Sequence, residues 1–218
     1  MDHGFDKLTP YYDLLTRLVF GKAIIDSQEQ FLSLVRTGSR VLVVGGGTGK
    51  ILKKLSTIPC ITITYVDASN EMINRAKDQV DNSGETTFIH TTISDFNADA
   101  QFDFIITSFF LDLFNERSLK LVMIKLHGHL KENGLWLFTD FRLGSGLRKL
   151  WQLPLLVLMF IFFRLSCRIE ANELQEFDKY FRQFGYSLDK EKLFYGEFIV
   201  VRVYVKGRND FNSIQFNN

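Results

Sequence analysis

The stretch that decides the fold of this chain is VLVVGGGTG, residues 41–49, which is followed by ILKKL at residues 51–55. The β-branched run predicts a buried strand, the glycines predict a tight turn, and the apolar spacing after them predicts a helix. Glycine permits positive φ and lets a ligand come close to the backbone. The start of a helix presents free N–H groups. The sequence therefore predicts a site for a nucleotide-like molecule.

The spacing of the glycines separates two classes of nucleotide site. A dinucleotide fingerprint is Gly-x-Gly-x-x-Gly, and counted from Gly45 its third glycine would fall on Lys50. This disfavours a nicotinamide oxidoreductase. The chain instead has the Gly-x-Gly-x-Gly spacing, and here it resembles the class I S-adenosylmethionine-dependent methyltransferases. The resemblance implies that S-adenosylmethionine contacts three glycines: Gly45, Gly47 and Gly49.

A second strand and an acidic residue follow the glycine loop at the distance typical of a βαβ unit. Residues 61–66, ITITYV, predict the strand, and Asp67 stands at its C-terminal end. A carboxylate there can accept two hydrogen bonds from a ribose cis-diol. The alternative for Asp67 is a helix N-cap, a role for which Ser69 and Asn70 compete. The resemblance adds two residues that flank the adenine ring: Ala68 and Met72.

Two further strands extend the resemblance. Residues 102–108, FDFIITS, are similar to the fourth strand of the family, and residues 130–140, LKENGLWLFTD, are similar to its fifth. Ligands of open α/β sheets bind outside the carboxyl ends of the strands. The other predicted contacts at these ends are Thr92, Ile93 and Ser108 for the cofactor, and Phe109 and Asp140 for the substrate.

Asp112 is the candidate for a catalytic side chain. It lies in an apolar stretch, residues 109–114, just past the predicted end of the fourth strand. A carboxylate at this point can take a proton from a hydroxyl or hold an amine. The alternative is an N-cap for a helix that begins near Asn115 or Glu116.

Three positions depart from the family pattern or match it loosely. Val43 stands where the family has an acidic residue that fixes the amino group of the methionine moiety. Thr92 stands where an acidic residue lies near the adenine, with Asp95 further on as a substitute. Tyr11 resembles a tyrosine that helps to close the substrate site, although Pro10 interrupts that opening segment. These departures leave open an alternative: a catalytically impaired cofactor-binding or interaction protein on the same scaffold.

The organisation of the chain predicts a single α/β domain. It has 218 residues, of which 46% are hydrophobic, enough for a sizeable core. Strands and helices alternate over residues 40–140, and two final runs predict a hairpin. By resemblance the fold is Rossmann-like: a seven-stranded, mostly parallel sheet with an antiparallel C-terminal hairpin and helices on both faces. The expected boundaries are 1–206 for the domain, 1–38 for a helical cap, 144–184 for a helical lid and acceptor region, and 207–218 for a polar tail.

The segment 147–164 bears on the methyl acceptor. Its apolar run, residues 153–163, is shorter than the roughly 20 residues needed to cross a bilayer. Flanking basic and tryptophan residues suit a membrane interface. The next residues, LSCRIEA at 165–171, are similar to the quinone- and phospholipid-methylating branch of the family, which implies a small hydrophobic acceptor, quinone-like or lipid-like. The alternatives are a buried helix on the sheet and a homodimer interface.

Charge and composition exclude other classes of partner. The net charge is +1 and no basic cluster is interleaved with aromatics, so no nucleic-acid partner is predicted. Cys60 and Cys167 lie in apolar surroundings and are expected to be reduced core residues, which indicates a cytoplasmic protein, with peripheral membrane contact as an addition. The histidines lack partners at ligand spacing, so no metal is predicted. His127 and His129 are expected near an exposed helix end.

Overall fold

A seven-stranded sheet forms the centre of the molecule in the computed structural model, which describes residues 19–80, 85–166 and 174–207. The strands are β1 (Arg40–Val44), β2 (Thr62–Asp67), β3 (Glu85–His90), β4 (Phe102–Ser108), β5 (Leu130–Phe141), β6 (Tyr186–Phe194) and β7 (Ile199–Lys206). The helices are α1 (Ala23–Glu29), α2 (Leu52–Leu55), α3 (Asn70–Lys77), α4 (Glu116–His129), α5 (Arg148–Ser166) and α6 (Phe177–Gln183). Short 3-10 helices lie at Leu32–Leu34 and Leu111–Leu113.

The strand order is β3-β2-β1-β4-β5-β7-β6. Strands β1 to β5 pair in parallel, and β7 runs antiparallel to both β5 and β6. The predicted fold is therefore confirmed, including its C-terminal hairpin. The order reverses between β1 and β4, so a crevice opens there at the carboxyl ends of the strands, where ligands of such sheets bind.

The alternation of side chains along β1 shows why both faces of the sheet are buried. Leu42 and Val44 pack in an apolar cluster with residues of α4 and α6, whereas Val41 and Val43 pack in a second cluster with residues of α2 and α3. Successive side chains of a strand point to opposite faces, so a continuous apolar run requires cover on both sides. Helices therefore lie on both faces, as predicted.

A third apolar cluster closes the carboxyl end of the sheet near β5 and β7. Its buried members are Phe20, Phe141, Leu156, Phe198 and Ile199, and we call it the end cluster. It joins α5 to the tip of the β6–β7 hairpin. The end cluster therefore places the predicted lid segment beside the carboxyl ends of β4 and β5.

Some sequence expectations were wrong. Cys60 is exposed, because it sits in the turn before β2 with a φ of 57° rather than in the strand. His127 is buried, because it packs between the rings of Phe184 and Tyr186. Within the helical region expected over 144–184, the described helices are α5 and α6, while residues 167–173, Cys167 among them, lie outside the described residues.

Candidate cofactor and acceptor site

The glycine loop has the backbone that its residue types predicted. Gly45, Gly47 and Gly49 have φ values of 62°, 61° and 74°. A Cβ added at Gly45 would lie 2.2 Å from the ring of Phe110, and one at Gly49 would lie 2.6 Å from Cβ of Ala76. At Gly47 an added Cβ would meet nothing within 4 Å. Two glycines thus permit close packing, while the third leaves an open surface beside the loop.

Asp67 lies at the end of β2 with its carboxylate turned to this loop. Oδ2 accepts a hydrogen bond from the Gly47 amide at 3.2 Å, and Oδ1 accepts one from the Ser69 amide at 2.9 Å. Burial raises the pKa of the carboxyl to about 6. The N-cap of α3 is Ser69, whose Oγ accepts from the Met72 amide at 3.2 Å. Asp67 is therefore not the cap, and its remaining lone pairs are available to a diol.

Tyr65 is a residue of the site that the sequence reasoning missed. Its ring is fully buried beneath the loop, and its hydroxyl donates to the Gly47 carbonyl at 2.8 Å. A Cβ added at Gly46 would lie 2.5 Å from that hydroxyl oxygen, so Gly46 must also be small. Val43 pairs with Tyr65 across β1 and β2 and is only 1% exposed. Tyr65 of β2 thus supports the loop, while the apolar Val43 of β1 offers no carboxylate there.

The predicted adenine side lies where β2 and β3 end next to each other. Thr92 Oγ1 donates to Oδ2 of Asp95 at 2.8 Å and accepts from the Asp95 amide at 3.3 Å, which closes a local turn. Ile93 is buried. The ring of His90, a second missed residue, lies 2.9 Å from the Ala68 carbonyl. The hydrogen bonds of Thr92 thus hold this loop in place.

Two carboxyl groups meet at the carboxyl ends of β4 and β5. Asp140 is fully buried, and its Oδ2 accepts from the Asp112 amide at 3.3 Å while Oδ1 accepts from the Phe141 amide at 2.9 Å. Burial raises the pKa of both carboxyls, and the charge of Asp112 raises that of Asp140 further. The N-cap of α4 is Asn115, which accepts from the Ser118 amide at 3.0 Å. Asp112 is therefore free of the capping role.

Two buried polar atoms at and just past the end of β4 lack a hydrogen-bond partner. Within the described part of the chain, Ser108 Oγ and Asp112 Oδ1 have no hydrogen-bond partner. A buried polar atom left unsatisfied costs about 1–3 kcal/mol. Functional sites are where such a cost is commonly retained. Ser108, at the end of β4, and Asp112, just past it, are therefore candidates for contact with a ligand.

Apolar side chains form a wall at the same end of the sheet as Asp112 and Asp140. The rings of Phe109 and Phe141 lie 4.6 Å apart, and Phe109 has a φ of 52°, which is strained for a residue other than glycine. Leu155 and Met159 of α5 pack on the same end cluster. The structure therefore brings together Phe109, Asp112 and Asp140, three of the predicted residues, whereas Tyr11 lies outside the described residues.

The start of α5 is fixed to this wall by one buried side chain. Gln152 accepts from the Gly144 amide at 2.7 Å and donates to the Gly196 carbonyl at 2.8 Å. Trp151 packs against Tyr195 in the hairpin tip.

In residues 19–80, 85–166 and 174–207, no group of three potential metal ligands occurs. No helix in those segments is long and apolar enough to cross a membrane.

Comparisons with known proteins agree with this geometry. Residues 41–134 match the methyltransferase domain family. A ubiquinone/menaquinone biosynthesis C-methyltransferase from Saccharophagus degradans is 30% identical over 147 residues, which cover 63% of this chain and 57% of that protein. The chain thus aligns with just over half of the length of that curated relative.

Solved structures share the whole architecture at low sequence identity. One belongs to the complex of the Haloferax volcanii Trm112 methyltransferase activator with a putative methyltransferase: 14% identity, TM-score 0.71, covering 94% of this chain and 98% of that one. Another is the N-methyltransferase NodS from Bradyrhizobium japonicum with S-adenosyl-L-homocysteine: 15% identity, TM-score 0.60, covering 84% and 83%.

The sheet order, the glycine loop and the acidic residue at the end of β2 are arranged as in the class I methyltransferase fold. Residues 41–134, which hold β1 to β4 and the start of β5, match the methyltransferase domain family.

Proposed function

We propose that this protein transfers a methyl group from S-adenosylmethionine to a small hydrophobic acceptor, quinone-like or lipid-like, that carries an ionisable hydroxyl. The observation that carries this proposal is the Asp112–Asp140 carboxyl pair, buried beside an apolar wall with one carboxyl oxygen lacking a partner. The proposed domain is residues 1–206, with 1–38 as a cap, 144–184 as the acceptor region and 207–218 as a tail.

The residues of the loop fit the cofactor. The open surface at Gly47 leaves room next to the backbone, and the Asp67 carboxylate faces that surface. We assign the ribose diol to Asp67 and the adenine to Ala68, Met72 and the loop after β3. When bound, S-adenosylmethionine supplies an electrophilic methyl group on a positively charged sulfur. The hydrogen bond from Tyr65 holds the glycine backbone in place, which favours cofactor binding over the impaired-scaffold alternative.

Asp112 is the proposed proton acceptor. Burial keeps its pKa raised to about 7, the range in which a general base is most effective near neutral pH. The hydroxyl proton of the acceptor moves to Asp112 Oδ1, and the electron pair left on oxygen increases the nucleophilicity of the acceptor. Asp140 accepts a hydrogen bond from the Asp112 amide and thereby positions the loop that carries the base. General-base catalysis of this kind contributes about 10²–10⁴-fold to the rate.

The character of the wall supports a hydrophobic acceptor. Phe109, Phe141 and the inner face of α5 offer aromatic and aliphatic contacts directly beside the carboxyl pair. The aligned relative is named for the biosynthesis of ubiquinone and menaquinone. An alkylated hydroquinone has both an apolar body and ionisable hydroxyls, so it meets both requirements of the site.

The test is a turnover assay with S-adenosylmethionine and matched apolar acceptors: an alkylated hydroquinone, an alkyl phenol and an alkyl amine. Methylation of the hydroxylated compounds is expected. Asp112→Asn is expected to lower their turnover by at least about 100-fold and to leave S-adenosylhomocysteine affinity unchanged. Asp99→Asn, at an exposed carboxylate in the loop before β4, serves as the matched control. Preference for the amine would contradict the proton-acceptor role, and absence of cofactor binding would favour the interaction-protein alternative.

A further inference from the structure

The two sides of helix α5 differ in a way that its enzymatic role leaves unexplained. The side toward the sheet carries Gln152, fully buried, and Leu156, 5% exposed. On the other side, large apolar residues are open to solvent. They are Leu147, Leu150, Leu153, Val157 and Leu158, between 48% and 83% exposed, and we call them the outer face.

Helical spacing makes the outer face continuous. Residues three, four and seven apart share one side of a helix, and Leu150, Leu153 and Val157 follow that spacing, with Leu158 adjoining them. Monomeric soluble proteins rarely leave a contiguous apolar patch of this kind uncovered, and such patches mark interaction sites. The outer face, which the described residues leave uncovered, is therefore a candidate interaction surface.

Charge distinguishes the kinds of partner. The 19 residues of α5 contain no Asp or Glu, and the helix begins with Arg148 and Lys149, both exposed. Arg148 also reaches Glu197 in the hairpin tip, which fixes the orientation of the helix start. An apolar helix face with basic residues at its edge and a neighbouring Trp151, 42% exposed, suits the surface of an anionic bilayer.

We propose that the outer face of α5 seats the protein on a bilayer surface that contains anionic lipid. The inner side of the same helix contributes Leu155 and Met159 to the end cluster around Phe109. The helix thus lies between the membrane and the acceptor wall, so a lipid-soluble acceptor reaches the site without crossing water. The contact itself stands apart from catalysis; its role in acceptor delivery rests on the proposed function.

Vesicle flotation tests the contact, with the full chain mixed with phosphatidylcholine vesicles with or without phosphatidylglycerol. The protein is expected to float with the anionic vesicles. Leu158→Asp is expected to lower the bound fraction at least about tenfold, because a charge then enters the apolar boundary. Leu121, 62% exposed on α4 against 61% for Leu158, gives a matched control, and Leu121→Asp is expected to float as the parent does. Lys149→Glu is expected to reduce binding to anionic vesicles alone.

Three results would overturn the proposal. One is absence of flotation with either vesicle. Another is equal loss in the two leucine variants. The third is a dimer in light scattering that Leu158→Asp dissociates, since a second copy would then cover the outer face. Titration of Leu158→Asp with S-adenosylhomocysteine keeps the two proposals separate: retained affinity with lost flotation supports the membrane contact without reference to turnover.

Discussion

The two ends of the proposed site, which we call the cofactor end and the acceptor end, are built in different ways. At the cofactor end, the hydrogen bonds join residues of a single βαβ unit. Asp67 accepts them from the amides of Gly47 and Ser69. At the acceptor end, Asp140 receives the amide of Asp112, 28 residues away along the chain, and α5 is tied to Gly196, 44 residues from Gln152. The first end is fixed by local backbone geometry, and the second by the packing of distant segments.

The largest expected effect comes from removing the carboxylate at the cofactor end. Asp67→Ala is expected to lower S-adenosylhomocysteine affinity at least about 100-fold, since two hydrogen bonds to a charged group are lost, each worth about 1.5–3 kcal/mol. Calorimetric titration measures this directly. Asp99→Ala, which removes an exposed carboxylate in the loop before β4, is the control and should bind like the parent. Equal affinity in Asp67→Ala and the parent would remove the ribose contact from the account.

A single methyl group added to the glycine loop is expected to disturb its packing. Gly46→Ala is expected to destabilise the fold by about 1–3 kcal/mol, because the new Cβ would meet the buried hydroxyl of Tyr65. Gly128→Ala, inside α4 with open space around it, is expected to stabilise the fold by about 0.4–1 kcal/mol. Urea unfolding compares the two. If both variants gained stability, the support of the loop by Tyr65 would be refuted.

The pH dependence of cofactor affinity reports on Asp67. Its pKa is raised to about 6, so acidification through that value protonates the carboxylate that the diol needs. S-adenosylhomocysteine affinity is therefore expected to fall about tenfold per pH unit below pH 6 and to level off above it. Asp67→Asn should bind weakly at every pH. The charge of His90 lowers the pKa of Asp67, and His90→Gln should retain the pH dependence of the parent. Loss of the pH dependence in that variant would contradict its assignment to Asp67.

Because Asp112 and Asp140 are in contact at the acceptor end, the effects of substituting them on the free energy of unfolding are expected to be non-additive. Asp112→Asn and Asp140→Asn each relieve the repulsion of the buried pair, so the double variant is expected to depart from the sum by at least about 0.5 kcal/mol. Asp103, at the other end of β4, accepts from Lys131 at 2.6 Å. Asp112→Asn with Asp103→Asn should add within about 0.5 kcal/mol. Additivity in the first pair, measured by unfolding at neutral pH, would mean that the carboxyls act separately.

The same contrast explains how much of the molecule could be predicted from the sequence. Glycine spacing, strand runs and the acid at the end of β2 are local signals, and the fold and the position of Asp67 followed from them. The support of the glycine loop by Tyr65 could not be predicted from the sequence, because a tyrosine in an alternating strand looks like any core residue. Nor could the meeting of Asp112 with Asp140, which depends on the register of β4 with β5.

The helix caps are a second feature that the sequence alone could not assign. Asp67 and Asp112 each had a capping role as an alternative, and sequence alone could not choose, since several residues nearby can cap a helix. Ser69 and Asn115 hold the caps in the structure, so the two aspartates are released for the site. Cys60 was misplaced for a similar reason, because an apolar neighbourhood in sequence says little about the direction of a side chain in a turn.

Calorimetric titration of the parent protein shows whether the glycine loop with Asp67 holds S-adenosylmethionine. S-adenosylhomocysteine and NADH are titrated under the same conditions. Saturable binding of one S-adenosylhomocysteine per chain and no heat from NADH are expected. Binding of NADH alone, or of neither compound, would mean that the loop is not an S-adenosylmethionine site.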